Sequence, residues 1–435
     1  MATRRLLACA IVALSPFLLA LTAHAVQIDY RAGIGVEYND NVNLNDTDPV
    51  GATILEPELA FGIRQEGSTV QASAEGLVQY HDYLSGPYAS EFRSQLASHL
   101  NWTMAPERLN LTIEDYLAVQ PIDVLAADTP SNQQQTNVFA IGPTLGFRMG
   151  STVRGQAELR YINSYADEDK EFNSNRVAGA LRAIKDLDPS SAVSANLTDE
   201  HIAFTDSSAT SPDYDRTSLF GRYSRKWTRF DMTFDLGYSW LNYSGHEADD
   251  RSSPLLHGTF GWKATDRGTL TLDFSHQYSD AASSMMVVSD IGATIPTSIA
   301  TGDATVTSEA FLENRIGLGY AYQGVRAGFG VSPYYRKQEY VNADGLDQDA
   351  RGATVTFSWR LRPTLTFGAN GTGERTDYSG ADVNDTTWTI DTFLTQQWTR
   401  NWSWRAQYTY YKRNSSLSGL DSEQNIVYFG VSYTR

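Results

Sequence analysis

"RFDMTFDLGYSW", residues 229–240, alternates without a break. Phe230, Met232, Phe234, Leu236, Tyr238 and Trp240 make one set, and Asp231, Thr233, Asp235 and Ser239 the other. Successive side chains of a strand point to opposite sides, so this period of two divides the stretch into an apolar face and a polar face. Its twelve residues exceed the usual soluble strand of about five or six. They suffice to cross the apolar layer of a membrane, which takes about 9–11 residues of tilted strand.

The same period recurs in "TLTLDFSHQYS" (269–279), "TVTFSWR" (354–360) and "WSWRAQYTYY" (402–411), and a 3.6-residue pattern occurs almost nowhere. Twenty such segments can be counted, from 26–39 to 423–435. Their connections alternate strictly in length. "EGS" (66–68), "MAPE" (104–107), "MGS" (149–151), "QG" (323–324) and "TRN" (399–401) are tight turns. Between them stand generally longer loops such as 40–51, 121–133, 204–213 and 279–307. Short turns at one end and long loops at the other are the pattern of an outer-membrane barrel. The expectation is an all-β fold. It is a single transmembrane antiparallel up-and-down β-barrel over residues 26–435, with about 20 strands (18 as the alternative), short periplasmic turns and long extracellular loops.

Residues 1–25 read as a secretory signal peptide: Arg4 and Arg5, an apolar run from Leu6 to Leu21, then Ala23-His24-Ala25 before a cleavage point. Cys9, the single cysteine, leaves with it, so no disulfide or thiol chemistry is expected. After the signal no apolar run reaches the roughly 18 residues of a membrane helix. Aromatics are nonetheless 12% of the chain, with 24 tyrosines, and mean hydropathy is −0.37. A polar lumen behind a lipid-facing apolar surface accounts for both.

Seven of the nine tryptophans stand beside short turns: Trp102, Trp227, Trp262, Trp359, Trp398, Trp402 and Trp404. They are expected to form an aromatic girdle at the periplasmic membrane face. Net charge is −17, and the ten loops expected on the extracellular side carry 23 Asp or Glu against one basic residue, Lys170. One end of the molecule is therefore acidic, which disfavours nucleic acid as a partner. The expected surroundings are outer-membrane lipid and lipopolysaccharide, with the barrel insertion machinery as a folding partner.

"VEYNDNVNL", residues 36–44, ends the first expected strand in Asn and Asp. Asp40, Asp46 and Asp48 could offer oxygen ligands to calcium, but the spacing is not that of an EF-hand, and a solvated loop mouth is the favoured reading. This stretch resembles the tyrosine, Asp-Asn, apolar signature of the putative β-barrel porin type 2 family, relatives of the barrels of exopolysaccharide operons. The resemblance implies an outer-membrane barrel that acts as the exit pore of a polysaccharide secretion system, with polysaccharide and periplasmic export components as candidate partners. The final strand ends in Arg435, where that pattern would place an aromatic.

Catalytic chemistry is not expected. The histidines after the signal, His81, His99, His201, His246, His257 and His276, lack metal spacing, and no G-x-S-x-G, P-loop or zinc motif occurs. No cofactor and no metal are called for, and the protein is not expected to be an enzyme. The candidate site is the pore lining. If apolar faces meet lipid, Arg154, Arg160, Arg176, Arg182, Arg216 and Arg222 line one stretch of lumen wall. Glu56, Glu58, Glu75, Glu114, Asp273, Glu374 and Asp391 line others. Hydrated, mutually screened groups are the plain reading of this set, and a basic strip guiding an anionic polymer is the sharper one.

Segment 279–307 carries only three charges, Asp280, Asp290 and Asp303. Met285, Met286, Val287, Val288, Ile291 and Ile295 should not remain in water, and folding into the barrel mouth as a partial plug or gate buries them. The function expected is a passive conduit for export of a surface polysaccharide. A diffusion porin for small solutes and a structural or assembly barrel are the alternatives.

Overall fold

The computed structural model describes residues 26–207, 209–245, 249–286, 295–296, 298–299 and 304–435. The signal peptide expected over residues 1–25 lies outside the described residues. The strands are β1 (Gln27–Asn39), β2 (Ala52–Glu66), β3 (Val70–Tyr83), β4 (Glu91–Ala105), β5 (Leu109–Pro121), β6 (Gln133–Arg148) and β7 (Val153–Ala166). Next come β8 (Ser174–Asp188), β9 (Ser191–Phe204), β10 (Tyr214–Lys226), β11 (Phe230–Tyr243), β12 (Arg251–Lys263) and β13 (Gly268–Ser279). The last are β14 (Phe311–Gln323), β15 (Ala327–Tyr340), β16 (Gln348–Arg362), β17 (Leu365–Tyr378), β18 (Val383–Gln397), β19 (Trp402–Ser415) and β20 (Ser422–Thr434). One short helix, α1 (Ala281–Met286), follows β13.

Each strand pairs antiparallel with its neighbours in sequence. The sheet closes where β1 meets β20, from Arg31 opposite Thr434 to Asn39 opposite Ile426. Twenty strands thus form an up-and-down barrel without a free edge, as sequence alternation indicates. Closure matters in a membrane, where no water is available to satisfy an unpaired strand edge.

The two faces sort as the period-two pattern requires. Ile34, Leu59, Leu159, Leu181, Leu219, Leu236, Ile316, Val355, Ile390 and Val427 are all exposed on the outside. So continuous an apolar band is untenable in water and is the surface a bilayer covers. Six of the seven expected girdle tryptophans are exposed with it, and Trp404 packs against Phe429 with ring centroids 6.1 Å apart.

The start of β1 and the end of β20 lie at the short-turn end, where the Tyr30 amide donates to the Arg435 carbonyl at 3.0 Å. β1 therefore rises toward the long loops, and the "YNDN" motif sits at their level. There it fastens the closing seam. The Asp40 carboxylate accepts from the Asn425 backbone and side-chain amides at 2.7 and 2.8 Å, and Asn41 Nδ2 donates to the Glu423 carbonyl at 2.8 Å. The Gln424 side chain returns a bond to the Asn41 carbonyl at 2.9 Å. The Asn and Asp residues that end β1 thus stitch it to β20. Among the described residues no group of three or more acidic, His or Cys side chains is placed to hold a metal.

Candidate functional site: the lumen and its closure

All thirteen residues expected in the lumen lie on the inward parity of their strands. Glu56 and Glu58 alternate with lipid-facing Leu59 on β2, Arg154 and Arg160 with Leu159 on β7, and Arg176 and Arg182 with Val177 and Leu181 on β8. Arg216 and Arg222 flank exposed Leu219 on β10 at odd offsets, which places them inside. The same alternation turns Glu75, Glu114, Asp273, Glu374 and Asp391 inward.

The arginines do not form a bare positive strip. Arg154 pairs with Asp186 at 2.8 Å, Arg182 with Glu158 at 2.5 Å and Arg222 with Asp235 at 2.7 Å. Arg160 pairs with both Glu114 and Glu158. On the opposite wall Arg31 pairs with Glu58 at 2.9 Å, and Glu56 lies 3.3 Å from His81. Asp273 stands 3.5 Å from Arg315, while Asp391 accepts from Thr409 Oγ1 at 2.6 Å and Glu374 from Thr376 Oγ1 at 3.2 Å. The mutually screened lining is the arrangement found. Alternation reveals which residues face inward but not the cross-strand partner of each, which is why the pairing escaped sequence reading.

Described residues of the segment between β13 and β14 enter the lumen. Its first residue, Asp280, is 2% exposed and reaches Arg176 Nη1 at 2.7 Å and Arg216 Nη1 at 3.2 Å. Ser283 adds its amide at 3.0 Å and its hydroxyl at 2.8 Å. Burial by itself would raise the Asp280 pKa, but the two guanidiniums and Ser283 outweigh it and hold the carboxyl well below its usual range. Thus Arg176 and Arg216, expected along a transport path, anchor this segment instead.

From that anchor α1 lays Ala281, Ala282 and Met285 into a cluster with Val138, Ile162, Phe172 and Phe311. Met286 touches that cluster and a second one made by Ala97, Tyr116 and Ile299. The segment also crosses to other walls. Arg31 Nη2 donates to the Pro296 carbonyl at 2.9 Å, and the Ile299 amide donates to Gln95 Oε1 at 3.1 Å. Strands β1, β4, β8 and β10 are thereby linked through described residues of one segment, Asp280–Met286, Pro296 and Ile299, which lie inside the barrel. Of the apolar set expected to plug, Met285 is buried and Met286 and Ile295 half-buried; Val287, Val288 and Ile291 lie outside the described residues.

A second strap was not foreseen. Arg413 on β19 pairs with Asp385 on β18 at 2.5 Å and donates to the carbonyls of Ala126 and Leu125 at 2.6 and 2.8 Å. Those carbonyls belong to the β5–β6 loop, six strands away around the barrel, so this loop bridges the mouth. A single inward arginine near a strand end carries no mark in the sequence that it will seize a distant loop.

Residues 336–435 match the family described as "Putative beta-barrel porin 2". The match covers the end of β15 and all of β16–β20, and agrees with the resemblance carried by "VEYNDNVNL" at the opposite side of the seam. No curated protein matches the chain. Among solved structures, it is similar to the FrpB iron transporter (F3-3 variant) from Neisseria meningitidis, with 9% identity, TM-score 0.46 and coverage of 96% of this chain and 82% of that one. The siderophore receptor PirA from Pseudomonas aeruginosa gives 11% identity and TM-score 0.46, over 95% of this chain and 81% of that one. OpdK from Pseudomonas aeruginosa gives 10% identity and TM-score 0.38, over 94% and 99%. The closed barrel, its lipid-facing band and the porin-family match over its last five strands together make this chain an outer-membrane β-barrel.

Proposed function

We propose that this barrel is a gated passive conduit through which a surface polysaccharide leaves the cell. The observation that carries this reading is the distribution of closure along the lumen. Buried clusters and loop straps gather at the extracellular end, where Asp280 and Arg413 make their contacts, and Pro296 carries the same segment deeper, to Arg31 in the lower half of β1. Toward the short turns the wall stays polar and open, with a niche of about 420 Å³ lined by Arg154, Gln156, Arg182, Asn196, Arg222 and Ser224. Screened ion pairs and amides give a hydrated lining over which a sugar chain exchanges hydrogen bonds without a deep energy well, as conduction demands. The work of the protein is then permeation with no catalytic step and no bound cofactor. Periplasmic export components would deliver the chain to the open end.

Deletion of the gene tests the reading. Loss of surface polymer with unchanged permeability to small antibiotics is the expected result. Normal polymer together with reduced small-solute uptake would instead identify a diffusion porin. If both stay unchanged, the structural or assembly role gains the ground.

A further inference from the structure

Arg405 stands apart from the other arginines of the lumen. It faces inward from the periplasmic half of β19, is half-buried, and forms no ion pair among the described residues. Its guanidinium lies over the Phe393 ring at 4.0 Å from the centroid, and its Nε donates to Gln407 Oε1 at 2.9 Å. The two nearby carboxylates are engaged elsewhere, Asp391 by Thr409 and Glu58 by Arg31. A guanidinium has five donors in a rigid fork, and among the described residues no hydrogen bond takes the Nη donors of Arg405.

Beside it lies a flat aromatic surface. Gly35 and Gly430 face each other across the closing seam, and the Tyr428 ring lies over both. A Cβ on either glycine would collide with that ring, so both positions need glycine for the ring to rest on the wall. Gly368 gives Phe393 the same room on the neighbouring pair of strands. A ring held flat against the wall by its back turns its other face to the lumen. Tyr428 is opposite Gln407, but its ring reaches back over Gly430, the residue opposite Arg405, so ring and guanidinium belong to one level of the wall on adjacent strands.

We propose that Tyr428 and Arg405 form a subsite for an acidic saccharide chain, the ring stacking on the apolar face of a sugar and the guanidinium fork taking a carboxylate of the same chain. Aromatic faces suit the C–H surface of a sugar ring, and an arginine edge matches a carboxylate bidentately. A half-buried cation without an ion pair among the described residues, beside arginines that carboxylates screen, gives the conduit a preference for uronate-type chains over neutral ones. This inference rests on the polysaccharide reading above and names the class of polymer.

The test is calorimetric titration of the full barrel in detergent with three probes: hexameric oligogalacturonate, cellohexaose and galacturonic acid. Wild type should bind the acidic hexamer at least tenfold more tightly than either of the others. Arg405→Gln should remove that preference, and Tyr428→Leu should weaken the hexamer severalfold, while Arg229→Gln, a charge loss at an exposed turn, leaves affinity unchanged. Heat-modifiable gel migration verifies that each variant is folded. Unchanged affinity in Arg405→Gln, equal binding of cellohexaose, or monomer binding as tight as the hexamer would each overturn the subsite. So would the absence of hexamer binding to wild type, whereas the conduit itself is judged separately by the export phenotype of the deletion.

Discussion

Arg176 and Asp280 are both 2% exposed and meet at 2.7 Å, one on the barrel wall and the other at the root of the segment that enters the lumen. Two charges so deeply withdrawn from water persist only as partners, and removing one strands the other at a cost of about 3–5 kcal/mol. Asp280→Ala should therefore detach α1 while the twenty-strand ladder, which needs none of these contacts, stays closed. Single-channel recordings in planar bilayers should show larger or more frequent openings, with gel migration unchanged. Recordings indistinguishable from wild type would mean that the ion pair does not hold the gate.

Removal of residues 283–300 tests the same closure by bulk. This deletion takes away most of α1 together with the Pro296 and Ile299 contacts to β1 and β4. Conductance should rise severalfold with the barrel intact. No change would return the segment to a surface role.

The closure should not open in mild acid. Asp280 has a depressed pKa, so its stabilising contribution is complete above the ordinary carboxylate value of about 4 and fades only as pH falls through the lower folded value. Glu309 behaves oppositely. Burial raises its pKa first of all, and the charge of Glu171 raises it further. Its ionised form therefore costs stability at neutral pH, and protonation relieves that cost as pH falls toward the ordinary glutamate range. Between pH 7.5 and 5 the attachment of residues 304–310 should tighten and conductance fall or stay level. Glu309→Gln should remove any such dependence; opening on acidification would contradict the assignment.

What the sequence displays and what it hides divide along physical lines. Strand number, faces and sidedness come from local alternation and loop length, so stretches such as Phe230–Trp240 announce them directly. The inward positions of Arg176 and Arg216 are legible for the same reason. Their role is not, because Asp280 is more than sixty residues from either and nothing local brings it back. Met285 and Met286 do betray the plug, since apolar side chains in a loop need cover. Arg413 and the carbonyls of Leu125 and Ala126 betray nothing: backbone oxygen is common to every residue, and a contact made with it leaves no compositional trace.

Arg413→Gln should loosen the second strap. The substitution unpairs Asp385, whose side chain is buried, and frees both loop carbonyls. Loss of a buried partner costs about 3 kcal/mol or more, and here the released element is the β5–β6 loop. Limited proteolysis of the folded variant should cut within 122–129 at least several times faster than wild type, with other loops unaffected. Equal cutting rates would show that the loop is held by its own contacts, such as Asn132 Nδ2 to the Asp123 carbonyl at 2.8 Å.

Asp40 tests the seam. Its carboxylate accepts two bonds from Asn425, and these lie just beyond the last paired residues, Asn39 and Ile426. β1 and β20 are the ends of the chain's strand order, so no hairpin turn joins them and their pairing must be secured by contacts between remote residues. Bonds to a charged acceptor contribute about 1.5–3 kcal/mol each, which makes this pair the principal fastening at the extracellular end of the seam. Asp40→Ala should lower the temperature at which the folded gel band is lost and speed hydrogen exchange at Tyr38 and Val427. Asn45→Ala, which removes contacts internal to the same loop, should leave both unchanged. If the two variants behave alike, the motif serves its own loop and the seam holds without it.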